Sequence, residues 1–410
     1  MIVDSLWEFW TAGKVKFGDG AAEEAGYEAR RLKGSRILIV TDEGVAKAGL
    51  IANVKVSLEK EGLEVSVFDG VKPDPPMQVY EKCLGFARGP DCDVVVGLGG
   101  GSSMDVAKVV AALLAHGGEL LDYLAPPTGK GKKIPGKGLP VIAIPTTSGT
   151  GSEVSPVAVI TLPERRVKEG ISNNSLRPDV ALVDPLMTVT LPPAMTAATG
   201  MDALAHAVEA YTTRRFDCRP RPEKPEERPV YTGGNPLTDA LSATSIELVG
   251  NFLRRAVNNG YDLEARRGMA MASLLAGMAF TNAGLTAVHA ITMAIGAKYN
   301  MPHGVANAML LPHVMEFNFT SDFERFTDVA QLLGEEADGL SPKEAAMRSV
   351  AAVKALSEDI GVPQHLSSFG VRAEDIPDLA KDCMKVQRLM ICNPRRVTAG
   401  DVEEILRKAL

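Results

Sequence analysis

The stretch 94–115, VVVGLGGGSSMDVAKVVAALLA, decides the architecture of the first half of the chain. It reads as a buried β-branched strand, then Gly99, Gly100 and Gly101, then a helix opened by Ser102 or Ser103 with Asp105 in its first turn. The same grammar repeats around it. SRILIVTDEG, LEVSVFDG and PVIAIPTTSG are short apolar runs ending in turn or hydroxyl residues, and the segments 45–62, 76–88 and 104–116 are long enough for crossover helices. Such alternation predicts a parallel sheet covered on both faces. Further on, SEVSPVAVITLPERRVKEGISNN predicts a β-hairpin turning at Pro163 and Glu164, and DVALVDP one more strand.

From Pro185 onward strand-like runs almost vanish, and Ala, Leu, Met and Glu at helical spacing continue to VEEILRKAL. The predicted organisation is therefore an α/β domain over 1–184 and an all-α domain over 185–410. Arg214 to Gly234 is rich in Pro and Arg, which predicts a long surface loop or flap inside the helical half.

A chain of 410 residues with 45% apolar and 23% charged residues is an ordinary globular one, which excludes disorder, collagen-like repeats and coiled coil. A net charge of −7 with no segregated basic patch speaks against nucleic acid as a partner. Five cysteines without a CxxC pair suit a reducing compartment, and MIVDSLWEFWTAGK lacks the basic start and apolar run of a signal peptide, so the expected address is cytoplasmic. The stretch 268–297 has no charged residue, but Thr281, Asn282, Ala283 and Gly284 break it into two pieces of helix-core length, which predicts buried helices and no membrane span.

Four features carry chemistry. The turn at Gly99–Gly101 places free N–H groups where a phosphate can approach, although a tight turn with no ligand reads the same way. It lacks the GxGxxG spacing of the common dinucleotide fingerprint. In IPTTSGTGSEVSP, Thr146, Thr147 and Thr150 crowd the end of a strand, where hydroxyls can bind a nucleotide or simply face water. Asp42 ends the first strand, a place for an acid that accepts from a ribose 2′-OH, or for an exposed helix-start aspartate.

The fourth feature suggests a metal. In GMDALAHAVEAYT, Asp202 and His206 stand four apart and share a helix face. His289 lies in an apolar helical stretch, and His303 between Pro302 and Gly304. An isolated buried aspartate is costly unless paired or metal-bound, and one carboxylate with three imidazoles suits Fe²⁺ or Zn²⁺ with a position left for substrate. His116, His313 and His365 have no such partners and read as structural or exposed.

With these residues assembled, the chain resembles the iron-dependent (group III) alcohol dehydrogenase family through GGGSSMDVAK, PTTSGTGSEVSP, GMDALAHAVEAY, PHGVANAMLLPHVMEFN and NPRRVTAGDVEEIL. The resemblance implies a Rossmann-like dinucleotide-binding domain, a helical domain, and a divalent metal in the cleft between them. It implies Asp202, His206, His289 and His303 as ligands, the pyrophosphate on Gly100, Gly101 and Ser102 with Asp105 nearby, Thr146, Thr147 and Thr150 along the cofactor, and Lys168 at its ribose. An acid at Asp42 goes with NAD rather than NADP. The implied activity is hydride transfer between NAD and an alcohol, in a homodimer or larger homo-oligomer; aromatics at 5% fit a small aliphatic alcohol or aldehyde. Two departures stand out. Many relatives have a histidine where this chain has Met293, and a thioether cannot carry protons. The insert from Arg214 resembles one in hydroxyacid-oxoacid transhydrogenases of the same superfamily, which makes such a reaction the alternative; a cyclase like dehydroquinate synthase is disfavoured by Asp202, where its relatives have glutamate.

Overall fold

The structure, a computed structural model, describes residues 4–126, 128–162, 164 and 167–410. The chain divides into two compact units. One is Trp10–Leu191; the other is Pro192–Leu410 with the amino-terminal segment through Phe9.

The first unit is built on a parallel sheet of six strands in the order β1 (Val15–Phe17), β8 (Val180–Val183), β5 (Val141–Pro145), β4 (Val94–Gly99), β2 (Arg36–Asp42), β3 (Glu64–Val71). Side chains alternate between two apolar layers, as a sheet buried on both faces requires. Ile37, Ile39, Val94 and Val96 pack with Ala25 and Ala29 of α1 (Ala25–Arg31) on one face, whereas Leu38, Val40 and Val95 pack on the other with Tyr80 of a later helix. The expected helix over 45–62 is two helices, α2 (Glu43–Lys47) and α3 (Leu50–Lys60). Lys47 followed by Ala48 and Gly49 is a stop signal that the periodicity alone did not reveal.

The connections then run through α4 (Met77–Arg88), which carries Tyr80, α5 (Gly101–His116) and the short α6 (Leu120–Tyr123). From β2 the chain moves outward to β3, then returns to the opposite side of β2 as β4. This reversal creates a switch point at the carboxyl ends of β2 and β4, where open α/β sheets bind ligands. The hairpin forms as β6 (Val157–Leu162) antiparallel to β7 (Val167–Ser172). Of its predicted turn, Pro163 lies outside the described residues.

The second unit has no strand among its described residues. It comprises α7 (Pro193–Thr212), α8 (Pro236–Asn258), α9 (Leu263–Ala283), α10 (Ala287–Tyr299), α11 (His303–Asn318), α12 (Phe323–Leu332), α13 (Pro342–Asp359), α14 (Ile376–Cys383), α15 (Gln387–Met390) and α16 (Ala399–Ala409). Apolar faces of α7, α8 and α9 share one core in which Met201, Leu204, Ile246, Val249, Met269 and Ala272 are buried. The uncharged stretch breaks after Ala283, and α9 and α10 meet at 100°. No single described helix is long and apolar enough to cross a membrane, although that bent pair passes the test of length and composition together. The Pro- and Arg-rich insert holds only two 3-10 turns, Phe216–Cys218 and Pro225–Glu227, and is closed at its base by a bridge between Arg215 and Gly234.

Candidate active site

Three helices of the second unit bring the four predicted metal-ligating side chains together. α7 supplies Asp202 and His206 from one face, α10 supplies His289 in its first turn, and α11 begins at His303. Donor atoms of Asp202, His206 and His289 all lie within 4.8 Å of one another, and these three side chains are buried. His289 Nε2 and His303 Nε2 are each 3.8 Å from Asp202 Oδ1. The His206 ring stacks on Phe280 at 4.2 Å and on His289 at 4.6 Å, so packing fixes its plane. A Cβ on Gly304 would lie 2.3 Å from the carbonyl oxygen of Ala198, so only glycine there lets α11 start hard against α7.

The donors fit a divalent ion. Asn307 Nδ2 donates to Asp202 Oδ1 at 2.7 Å and lies 3.1 Å from His289 Nε2 and 3.2 Å from His303 Nε2, while its own buried Oδ1 has no partner. One amide nitrogen has two hydrogens for three converging acceptors, a deficit that a cation makes good. Burial drives the His206 ring down to about 4, only partly offset by Asp202, so the imidazole is neutral and able to ligate. Burial raises the Asp202 carboxyl, but the surrounding imidazoles and the Asn307 amide outweigh it and hold this group below the usual aspartate value.

Glu209, Asn307, Lys108 and Glu153 were not singled out from the sequence. Glu209 is buried and hydrogen-bonds His289 Nδ1, and it holds its carboxyl below the usual value: burial raises it, and His289 and Thr286 outweigh that. Its signal was present as a glutamate three residues after His206, on the face that carries Asp202. Met293 lies one turn after His289, partly buried, with Arg388 Nη2 3.9 Å from its sulfur.

In the first unit the switch point gathers most of the residues expected at a cofactor. Asp42 caps α2, its Oδ1 accepting from Gly44 N at 2.9 Å and Val45 N at 3.1 Å. Gly99 has φ +150°, and a Cβ on it would meet Ser103 Oγ at 2.6 Å and Asp42 Oδ2 at 3.2 Å. Gly101 and Ser102 begin the 16-residue α5, whose first N–H groups have no intrahelical acceptor. Thr146 N donates to Gly99 O at 3.0 Å, and the buried Thr147 Oγ1 has no partner. Thr150 Oγ1 accepts from Ser152 N at 3.3 Å. A glycine cradle with an orphaned hydroxyl beside a capped acid fits a dinucleotide.

Two further expected residues have protein partners. Asp105 is bound on both oxygens, by Ser152 Oγ at 2.6 Å and Val159 N at 2.9 Å, and pairs with the fully buried Lys108 at 3.0 Å. Lys108 Nζ also donates to Ser152 Oγ at 2.7 Å and Val157 O at 2.6 Å. This pair ties α5 to the segment after Thr150, and burial raises the neighbouring Glu153 to about 7. Lys168, within β7, is buried and paired with Asp74 at 2.8 Å. His116 Nε2 lies 3.0 Å from the carbonyls of Gly136 and Lys137, a structural role.

The pattern described as "Iron-containing alcohol dehydrogenase" matches residues 12–185, and that of "Fe-containing alcohol dehydrogenase family, C-terminal" matches 227–410. The chain belongs to the iron-containing alcohol dehydrogenase family. It is similar to long-chain-alcohol dehydrogenase 1 of Geobacillus thermodenitrificans (strain NG80-2), 40% identical over 96% of this chain and 94% of that one. The NAD-dependent methanol dehydrogenase of Bacillus methanolicus is 38% identical over 96% of this chain and 97% of its own. Among solved structures, a 1,3-propanediol oxidoreductase superposes with a TM-score of 0.90 at 39% identity, covering 99% of this chain and all of that one (100%). The family pairs NAD with iron, and this chain is an NAD-linked, metal-dependent alcohol or aldehyde oxidoreductase.

Proposed function

We propose that the chain interconverts small aliphatic alcohols and their aldehydes with NAD, using Fe²⁺ or Zn²⁺ held by Asp202, His206, His289 and His303. The observation that carries this reading is the convergence of one carboxylate and three imidazoles on a point served by a single amide nitrogen. When bound, the divalent ion supplies Lewis-acid stabilisation of negative charge on the alcohol oxygen and the nicotinamide supplies the hydride acceptor.

The chain's own residues bind and orient. Asp202 contributes the one negative charge among the donors, and since imidazole ligates a metal in its uncharged form, His206, His289 and His303 would leave net positive charge for an oxygen to share. Phe280 against His206 keeps water from that side. The N–H groups of Gly101 and Ser102 suit the pyrophosphate, and Asp42 suits a ribose diol while repelling a 2′-phosphate. Thr146, Thr147 and Thr150 offer hydroxyls along the same edge, and Gly99 and Gly100 keep it open. Small alcohols are the substrates in the names of several relatives, including 1,3-propanediol and methanol. The five cysteines, all free, suit a cytoplasmic setting, and a homo-oligomer is our expectation.

The test is a panel of alcohols, diols, aldehydes and hydroxyacids, with NAD and with NADP, on protein reconstituted separately with Fe²⁺ and Zn²⁺. Turnover of a short alcohol with free NAD is expected. Turnover only when a 2-oxoacid replaces free NAD would point to transhydrogenation instead.

A further inference from the structure

We infer that Glu209 is a positioning residue that fixes the ring hydrogen and the orientation of His289; this rests on reading the Asp202, His206, His289 and His303 cluster as a metal site. Asp202, His206 and Glu209 follow one another at spacings of four and three on α7, so one helix face presents all three. The first two send their donors into the cluster. Glu209 reaches past it to the start of α10.

There its two oxygens divide the work. Oε1 accepts from Thr286 N at 3.0 Å, Thr286 Oγ1 at 2.5 Å and Val288 N at 2.9 Å. Two of these donors are N–H groups that a helix start leaves orphaned, and α10 has no cap from the side chain of its own Thr286. Oε2 accepts from His289 Nδ1. A carboxylate only accepts, so the hydrogen belongs to Nδ1 and the lone pair of the neutral ring to Nε2. Nε2 is the atom 3.8 Å from Asp202 Oδ1. One buried carboxylate therefore sets where α10 begins, which way the imidazole faces, and which nitrogen is free to ligate. Hydrogen-bonded partners of this kind change metal affinity about 10–100-fold.

Glu209→Gln separates the two roles. Its amide oxygen can still accept from Thr286 and Val288, but its NH₂ offers hydrogens to Nδ1, which moves the ring hydrogen to Nε2 and removes the lone pair facing Asp202. We expect the variant to fold, with its affinity for Zn²⁺ in competition with a chromogenic chelator lowered about 10–100-fold. A residue that merely caps α10 would leave that affinity unchanged. In the same experiment, ¹⁵N NMR of the metal-free wild-type chain is expected to show His289 with its hydrogen on Nδ1, a measurement that stands even if Glu209→Gln does not fold. Equal Zn²⁺ affinity in a folded Glu209→Gln variant, or the Nε2–H form in the wild type, overturns the inference. Wild-type protein that takes up neither Zn²⁺ nor Fe²⁺ overturns the metal reading and this inference with it, and so tells the two failures apart.

Discussion

Asp42 Oδ2 accepts a hydrogen bond from Ser103 Oγ at 3.2 Å, joining the last residue of β2 to the first turn of α5 across the switch point. With Oδ1 held by two backbone N–H groups, the carboxylate is fixed in place before any ligand arrives. A charged hydrogen bond of ~1.5–3 kcal/mol corresponds to about 10–100-fold in affinity. Replacing Asp42 with glycine should raise the KM for NAD by that factor and lower the KM for NADP. Steady-state kinetics with both cofactors checks it, and an unchanged preference would remove Asp42 from cofactor selection.

Asp202→Asn keeps the shape of the side chain and removes the single negative charge of the donor cluster. Bound metal after dialysis should fall well below stoichiometric, and kcat should drop at least about 100-fold. Elemental analysis beside activity decides it: full metal occupancy in the variant would contradict the assignment.

Lys108 is wholly buried, and burial pushes its ammonium below the usual lysine value while Asp105 pulls the other way. Lys108→Met strands Asp105 inside the unit and should cost about 3–5 kcal/mol by urea denaturation. Because the pair anchors the segment that follows Thr150, the KM for NAD should rise too. Adding Asp105→Ala should recover part of the lost stability; a double variant as unstable as the single one would argue against coupling of the two residues.

Glu28 gives a pH signature. Burial raises its carboxyl, but hydrogen bonds from Lys14, Lys16 and Arg31 prevail and bring it down to about 2, from an ordinary value near 4.5. A folded-state value below the unfolded one adds stability that is fully present above the ordinary value and is lost as pH falls towards about 2. The partner cations reach solvent, so the contribution is about 1–2 kcal/mol rather than the full equivalent of the shift. Melting curves of wild type and Glu28→Gln should differ at pH 7 and converge at low pH; parallel curves would exclude the effect.

Met293 stands one turn from His289 and has no transferable proton. Met293→His should add an ionisation near the ordinary imidazole value of ~6.5 to the pH–rate profile. An unchanged profile would leave this position without any part in proton movement.

Much of this was legible in the sequence, for physical reasons. The run at 94–98, VVVGL, has no polar residue because both faces of β4 are buried, and Asp202 and His206 share a helix face by spacing alone. Strand β1 was missed because VKF is only three residues long on the edge of the sheet, with a charge at its centre. Glu209 and Asn307 were missed because a polar residue in an Ala-rich helix looks the same whether it faces water or a buried ring; only the crossing of α7, α10 and α11 tells them apart. The protein partners of Asp105 and Lys168 left no mark in the spacing either: Ser152, Val159 and Lys108 hold the first and Asp74 the second.

Placing Asp202, His206 and Glu209 on a single helix face has an evolutionary corollary. Each added residue turns the following side chains by about 100° around the axis. Inserting or deleting one position between Asp202 and Glu209 in a regular helix would swing part of the trio away from its partners. Between those three positions, descendants of the gene are free to vary in composition but not in length.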